Sequence, residues 1–115
     1  YCLRSGIDGI VAGNTTRSRD GLNSLTPAKI EEIGNGGMSG APIYKKNLEL
    51  VRYVHKASEG KLPIVGVGGI MSGAQAQEMM EAGASLVEIY TGFIYEGPAL
   101  IKRINRHLET SPKIN

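Results

Sequence analysis

Apolar positions along the chain fall into short β-branched runs and longer helically spaced stripes, and glycine ends nearly every one. Leu62 to Val67 is apolar on both faces, which marks a buried parallel strand. Gly9-Ile10-Val11-Ala12 and Ser85 to Tyr90 read as further strands. Tyr1 to Gly6 reads as the end of a helix stopped by Gly6. Leu48, Val51 and Val54 form a helical stripe over Leu48 to Ser58, with Asn47 as N-cap, Glu49 in the first turn and Gly60 closing it. Ser72-Gly73-Ala74-Gln75 is a capping box opening a second helix, which Gly83 ends. Gly97-Pro98 starts a third, with proline in its first turn and Leu100, Ile101, Ile104 and Leu108 as its core stripe. Strand, loop and helix thus alternate, which predicts an α/β fold with a parallel sheet. Arg17 to Pro42 lacks sustained periodicity and is rich in Gly, Ser and Asn. A segment that long inside a compact domain reads as an active-site loop.

The glycines carry the first chemical signal. Pro63-Ile64-Val65-Gly66-Val67-Gly68-Gly69-Ile70 and Ser85-Leu86-Val87-Glu88-Ile89-Tyr90-Thr91-Gly92 both end an apolar strand on bare backbone. Backbone N–H groups can approach an anion closely there, and a following helix adds its positive N-terminal end. In (β/α)8 barrels the loops after the last two strands often form a phosphate site. The pattern therefore predicts a phosphate-bearing ligand at the top of a barrel. A whole barrel needs roughly 200 residues or more, so these 115 residues would form part of one.

Charge narrows the partners. The net charge is +2 with both signs interspersed, which lacks the clustered Lys/Arg footprint of a nucleic-acid binder. Lys102, Arg103, Arg106 and His107 read as a solvated face complementing a helix dipole. Cys2 is the only cysteine, so no intrachain disulfide can form. No apolar run approaches the ~20 residues of a membrane span. The chain begins mid-pattern at Tyr1, which leaves room for a targeting or membrane-binding segment upstream.

Among candidate side chains, Asn14-Thr15-Thr16 follow a strand and offer an amide and hydroxyls to a polar, planar ligand such as a pyrimidine. The same residues suit an ordinary polar turn. Gly36-Gly37-Met38-Ser39-Gly40 fits an anion nest or a flexible loop equally well. Tyr90-Thr91 could donate to a ligand or simply end a strand. His55 and His107 fall on helix surfaces with no Cys, Asp or Glu at metal-ligand spacing, so no metal is expected. Met79-Met80 reads as core. There is no Gly-x-Gly-x-x-Gly fingerprint, no Walker-type loop and no activated nucleophile.

In this order the pieces resemble the carboxyl-terminal part of dihydroorotate dehydrogenase. The matching runs are Asp8-Gly9-Ile10-Val11, Asn14-Thr15-Thr16 with Ser18-Arg19, Gly36 to Gly40, Pro63 to Ile70, Ala82 to Val87, and Tyr90 to Pro98. The Asn-Thr-Thr triplet and the Tyr-Thr-Gly-Phe-Ile-Tyr-Glu-Gly-Pro run resemble the membrane-associated, quinone-reducing class 2. The resemblance implies a single FMN-binding (β/α)8 barrel domain, of which residues 1–115 supply roughly the last three βα units. It implies oxidation of dihydroorotate to orotate in pyrimidine synthesis, with a quinone as electron acceptor. Asn14 and Thr15 would bind the orotate. Gly13, Ser39, Gly40, Gly68, Gly69, Tyr90 and Thr91 would hold FMN, mostly by backbone N–H groups at its phosphate. Gly13 stands where the family often has threonine. The catalytic base, the flavin-side lysine and the quinone-tunnel helices would precede this segment, so the isolated chain is expected to be inactive. Membrane contact would also come from upstream, at the cytoplasmic face of a bacterial inner membrane or at the mitochondrial inner membrane. Rival readings are a soluble-class relative or another phosphate-binding barrel, and a non-catalytic half-barrel.

Overall fold

The computed structural model describes residues 1–112. Helix α1 (Cys2–Ser5) ends at Gly6 in the left-handed conformation and leads to strand β1 (Ile10–Ala12). Helix α2 (Pro27–Ile33) and a 3-10 turn (Ala41–Ile43) precede helix α3 (Tyr44–Ala57). Then come β2 (Ile64–Val67), α4 (Gly73–Glu81), β3 (Leu86–Glu88), α5 (Thr91–Glu96) and α6 (Pro98–Thr110). The sheet is parallel in the order β1-β2-β3, with Val11 paired to Val65 and Val65 to Leu86. The predicted alternation of strand and helix is therefore present.

Side-chain alternation divides the sheet into unlike faces. Ile64 and Gly66 point toward the helices, flanked by Ile10 and Ala12 on one side and Val87 on the other. Gly66 has no room for a Cβ, because Met79 of α4 lies over it. α3 packs on β1 and β2, α4 on β3, and α6 on α4. Leu48, Val51, Ile64, Met79, Leu100 and Ile104 are buried between these layers. On the opposite face Val11 and Leu86, in register with Val65, remain 58% and 64% exposed. The molecule is a slab 19 Å thick, about the depth of one sheet and one helix layer. Only one face of the sheet is thus covered.

Several expectations need correction. α3 begins at Tyr44, not Leu48, because the 3-10 turn over Ala41–Ile43 runs directly into it. Asn47 therefore lies inside the helix, buried, and caps nothing; Glu49 lies outside the first turn. Tyr44 pins α3 to α4 by donating its hydroxyl to Glu78 and to the Gln75 carbonyl. Burial, reinforced by Glu78, holds that phenol above its usual range. β3 stops at Glu88, two residues short of Tyr90, and Tyr90 precedes α5. Ile101 is exposed, since a Pro98 start points Leu100 and Ile104 inward instead. His107 is half-buried rather than solvated: it covers Gly73 and bonds Gln77 Oε1 at 2.8 Å, tying α6 to α4.

The Arg17–Pro42 segment is folded back on itself. Thr16 and Met38 exchange two backbone hydrogen bonds, 3.0 and 2.7 Å, closing its ends. The Arg19 guanidinium donates to the carbonyls of Thr16, Gly34 and Gly36. Thr26 caps α2 by accepting from the Lys29 N–H, and Pro27 occupies the first turn.

Candidate functional site

The carboxyl ends of the three strands open onto one cavity of about 320 Å³. Gly13, Asn14 and Thr15 reach it from β1, Gly68 to Ile70 from β2, and Tyr90 to Gly92 from β3. Ser39 and Gly40 enter from the folded-back loop, and Ile43 and Val67 supply the apolar floor. Every residue singled out from the sequence for substrate or cofactor lines this space: Asn14, Thr15, Gly13, Ser39, Gly40, Gly68, Gly69, Tyr90 and Thr91. Ile43 also lines it and lies outside every run that the sequence marks. Gly92 ends the second glycine-terminated run, and its tight seat is a packing requirement too: a Cβ there would stand 2.7 Å from the Ile70 carbonyl.

The β2 turn requires glycine for packing reasons, whatever ligand it meets. Gly68 and Gly69 have φ of 111° and 78°, a region that favours glycine. A side chain at Gly68 would strike Asn47, and one at Gly69 would stand 2.7 Å from the Tyr44 backbone. Glycine is therefore required by the close seat of α3 beneath the turn. The N-terminus of α4 also lies apart from the cavity. Ser72 Oγ accepts from Gln75 N–H, Gln75 Oε1 accepts from Met71 N–H, and Gly73 is covered by His107. The start of short α5 lines the cavity instead.

Among the described residues, the N–H groups of Gly69, Ile70, Thr91 and Gly92 have no hydrogen-bond acceptor. Ser39 and Thr91 hydroxyls meet at 2.9 Å, joining the loop to the β3 end, and Gly40 fits against the Thr91 side chain. Among the described residues no carboxylate lines the cavity. Free donors without competing negative charge form an environment suited to an anion. At the β1 rim the Asn14 side-chain oxygen Oδ1 accepts from the Thr15 N–H at 2.8 Å, and among the described residues Asn14 Nδ2 keeps its donors unused. Thr15 in turn packs on Gly37, where a Cβ would overlap it. Gly13 has φ of 133°, and a side chain there would collide with the Val67 carbonyl, so threonine does not fit this backbone.

Fold and cavity together define the class: a parallel α/β protein with a ligand site at the carboxyl ends of its strands, walled by glycine backbone and a short extra helix. The dihydroorotate dehydrogenase family pattern matches residues 2–111, and the chain belongs to that family. A dihydroorotate dehydrogenase (quinone) of Arthrobacter sp. (strain FB24) is 49% identical over 110 residues, which is 96% of this chain and 30% of that protein. Its counterpart in Salinispora arenicola (strain CNS-205) is 50% identical over 101 residues, 88% of this chain and 29% of that one. The crystal structure of DHODH from Eimeria tenella in complex with ferulenol superposes with a TM-score of 0.82 at 34% identity, covering 93% of this chain and 27% of that one. The chain thus spans about three tenths of the length of the curated relatives it matches.

Proposed function

We propose that this chain is the carboxyl-terminal part of a quinone-dependent dihydroorotate dehydrogenase, residues 1–115 being the last three βα units of one FMN-binding (β/α)8 barrel domain. The observation that carries the reading is the convergence of three strand ends on a cavity with free N–H donors on one side and the Asn14 amide on the other. The FMN phosphate would lie against Gly69, Ile70, Thr91 and Gly92, with the Ser39 and Thr91 hydroxyls beside it. Gly13, Gly40, Gly68 and Tyr90 would flank the flavin. Bound FMN supplies the hydride acceptor that no protein side chain can provide.

The chain's own residues bind and orient. Asn14 Nδ2 would donate to an oxygen of the dihydroorotate ring or carboxylate, with the Thr15 hydroxyl as second partner. Thr15 N–H holds Asn14 Oδ1, which fixes the amide's direction before substrate arrives. Ile43 and Val67 exclude water from the inner wall. The proton acceptor, the quinone site and membrane contact, at the bacterial inner or mitochondrial inner membrane, are assigned to the part of the whole protein outside this chain. No described helix is long and apolar enough to cross a membrane.

The test uses the full-length protein. It is expected to release FMN on denaturation and to oxidise dihydroorotate with a quinone rather than with fumarate or a nicotinamide. Asn14→Ala should keep its flavin and lose turnover by about tenfold or more, the effect of a substrate group left unpaired in a buried site. A flavin-replete Asn14→Ala protein with wild-type kinetics contradicts the substrate assignment. Preference for fumarate or a nicotinamide points to the soluble class, and absence of both flavin and turnover to a non-catalytic module.

A further inference from the structure

Asn47 is a residue that α3 itself has no use for. Asparagine is a poor helix former in a helix interior, and burying an amide is costly unless both of its ends are bonded. Yet Asn47 is 4% exposed among Tyr44, Leu48 and Val51 on the inner face of α3. Both ends of its amide go to a single residue. Oδ1 accepts the Asn14 N–H and Nδ2 donates to the Asn14 carbonyl, each at 3.4 Å. This reciprocal pair ties down both the N–H and the carbonyl of Asn14, as a neighbouring strand would. The same Nδ2 rests against Gly68, at the place a side chain would occupy. One buried side chain is therefore wedged between the loop after β1 and the turn after β2.

We propose that Asn47 is a positioning residue for the reaction, holding Asn14 in the orientation that presents its amide to substrate and in register with the anion-binding turn. The inference rests on the proposed function, because it takes Asn14 as the substrate contact. Asn47 packs against the turn after β2 but hydrogen-bonds only the Asn14 side of the cavity. The Gly69 backbone is already seated on Tyr44, so loss of the Asn47 amide leaves that turn in place. An apolar residue of similar size fills the volume but frees the Asn14 backbone to turn. The effect is then seen on dihydroorotate and not on flavin, and it travels through the Asn14 side chain.

A double-mutant cycle in the full-length holoprotein reads that route directly. Asn47→Leu is expected to lower kcat/KM for dihydroorotate by about tenfold while bound flavin stays at the wild-type level. In an Asn14→Ala background, where there is no amide left to orient, the same change should cost less than about twofold. Asn47→Ser, whose hydroxyl cannot span both Asn14 backbone groups, is carried in parallel in case the leucine variant fails to fold, with the same non-additivity expected. Equal losses in both backgrounds, losses that follow lost flavin, or wild-type kcat/KM in the Asn47 variants would overturn the inference. A wild-type holoprotein that does not oxidise dihydroorotate overturns the functional reading and this inference with it. Wild-type turnover with additive losses overturns the inference alone.

Discussion

A side chain at Gly69 would stand 2.7 Å from the N, Cα and Cβ atoms of Tyr44, and the local φ is 78°. The glycine therefore serves the fold before it serves a ligand. Gly69→Ala is expected to destabilise the full-length protein by about 1–3 kcal/mol from backbone strain alone. The loss should persist after flavin has been stripped. Thermal unfolding of flavin-free wild type and variant checks this, and equal midpoints would mean that only the ligand demands glycine there. The double glycine was legible in the sequence because glycine after an apolar strand has few other uses. What lies beneath it was not legible, because α3 starts far upstream in the chain and meets the turn only in the folded state. Asn47 shows the same limit: an asparagine before Leu48-x-x-Val51 reads locally as an N-cap. Its true partner, the Asn14 backbone, is thirty-three residues away. Asn14, Thr15 and the glycines were visible one by one, whereas the space they share depends on strand register.

Two helix starts with strong local signals stand as the sequence predicts. The Ser72 capping box and the Gly97-Pro98 start both mark true helix beginnings. The short elements α2 and α5 went unseen. Helices of seven and six residues are too short to be stable alone, where about 12–15 residues are marginal. Their periodicity is correspondingly faint. α5 persists because Gly92 fits tightly between Ile70 and Leu100 and because Arg103 of α6 pairs with Glu96. In α2 the Thr26-Pro27 pair was the available clue, a cap followed by proline in the first turn. The two caps should differ in consequence. Ser72→Ala is expected to lower global stability by about 1 kcal/mol, since α4 carries buried Ala76 and Met79. Thr26→Ala should change global stability by less than about 0.5 kcal/mol, since α2 buries no residue. Chemical denaturation of both variants in the full-length protein checks this, and equal losses would contradict the difference in burial.

At the scale of the molecule, the helices cover one face of the sheet and leave Val11 and Leu86 open on the other. Covering such side chains fully is worth about 1.5–3 kcal/mol each, and the outer edges of β1 and β3 have no further strand beside them. Residues 1–115 expressed alone are therefore expected to lack a cooperative, monomeric thermal transition and to show no dihydroorotate oxidation. Sedimentation, calorimetry and the assay together decide, and a sharp monomeric melt with turnover would contradict the barrel-part reading. In the proposed function the cavity at the three strand ends would hold a flavin phosphate and present Asn14 to the substrate. A crystal structure of the full-length protein with orotate tests it most directly. The phosphate is expected within about 3 Å of the Gly69, Ile70, Thr91 and Gly92 N–H groups, with an orotate oxygen at the same range from Asn14 Nδ2. A phosphate bound elsewhere, or orotate held without Asn14, would contradict it.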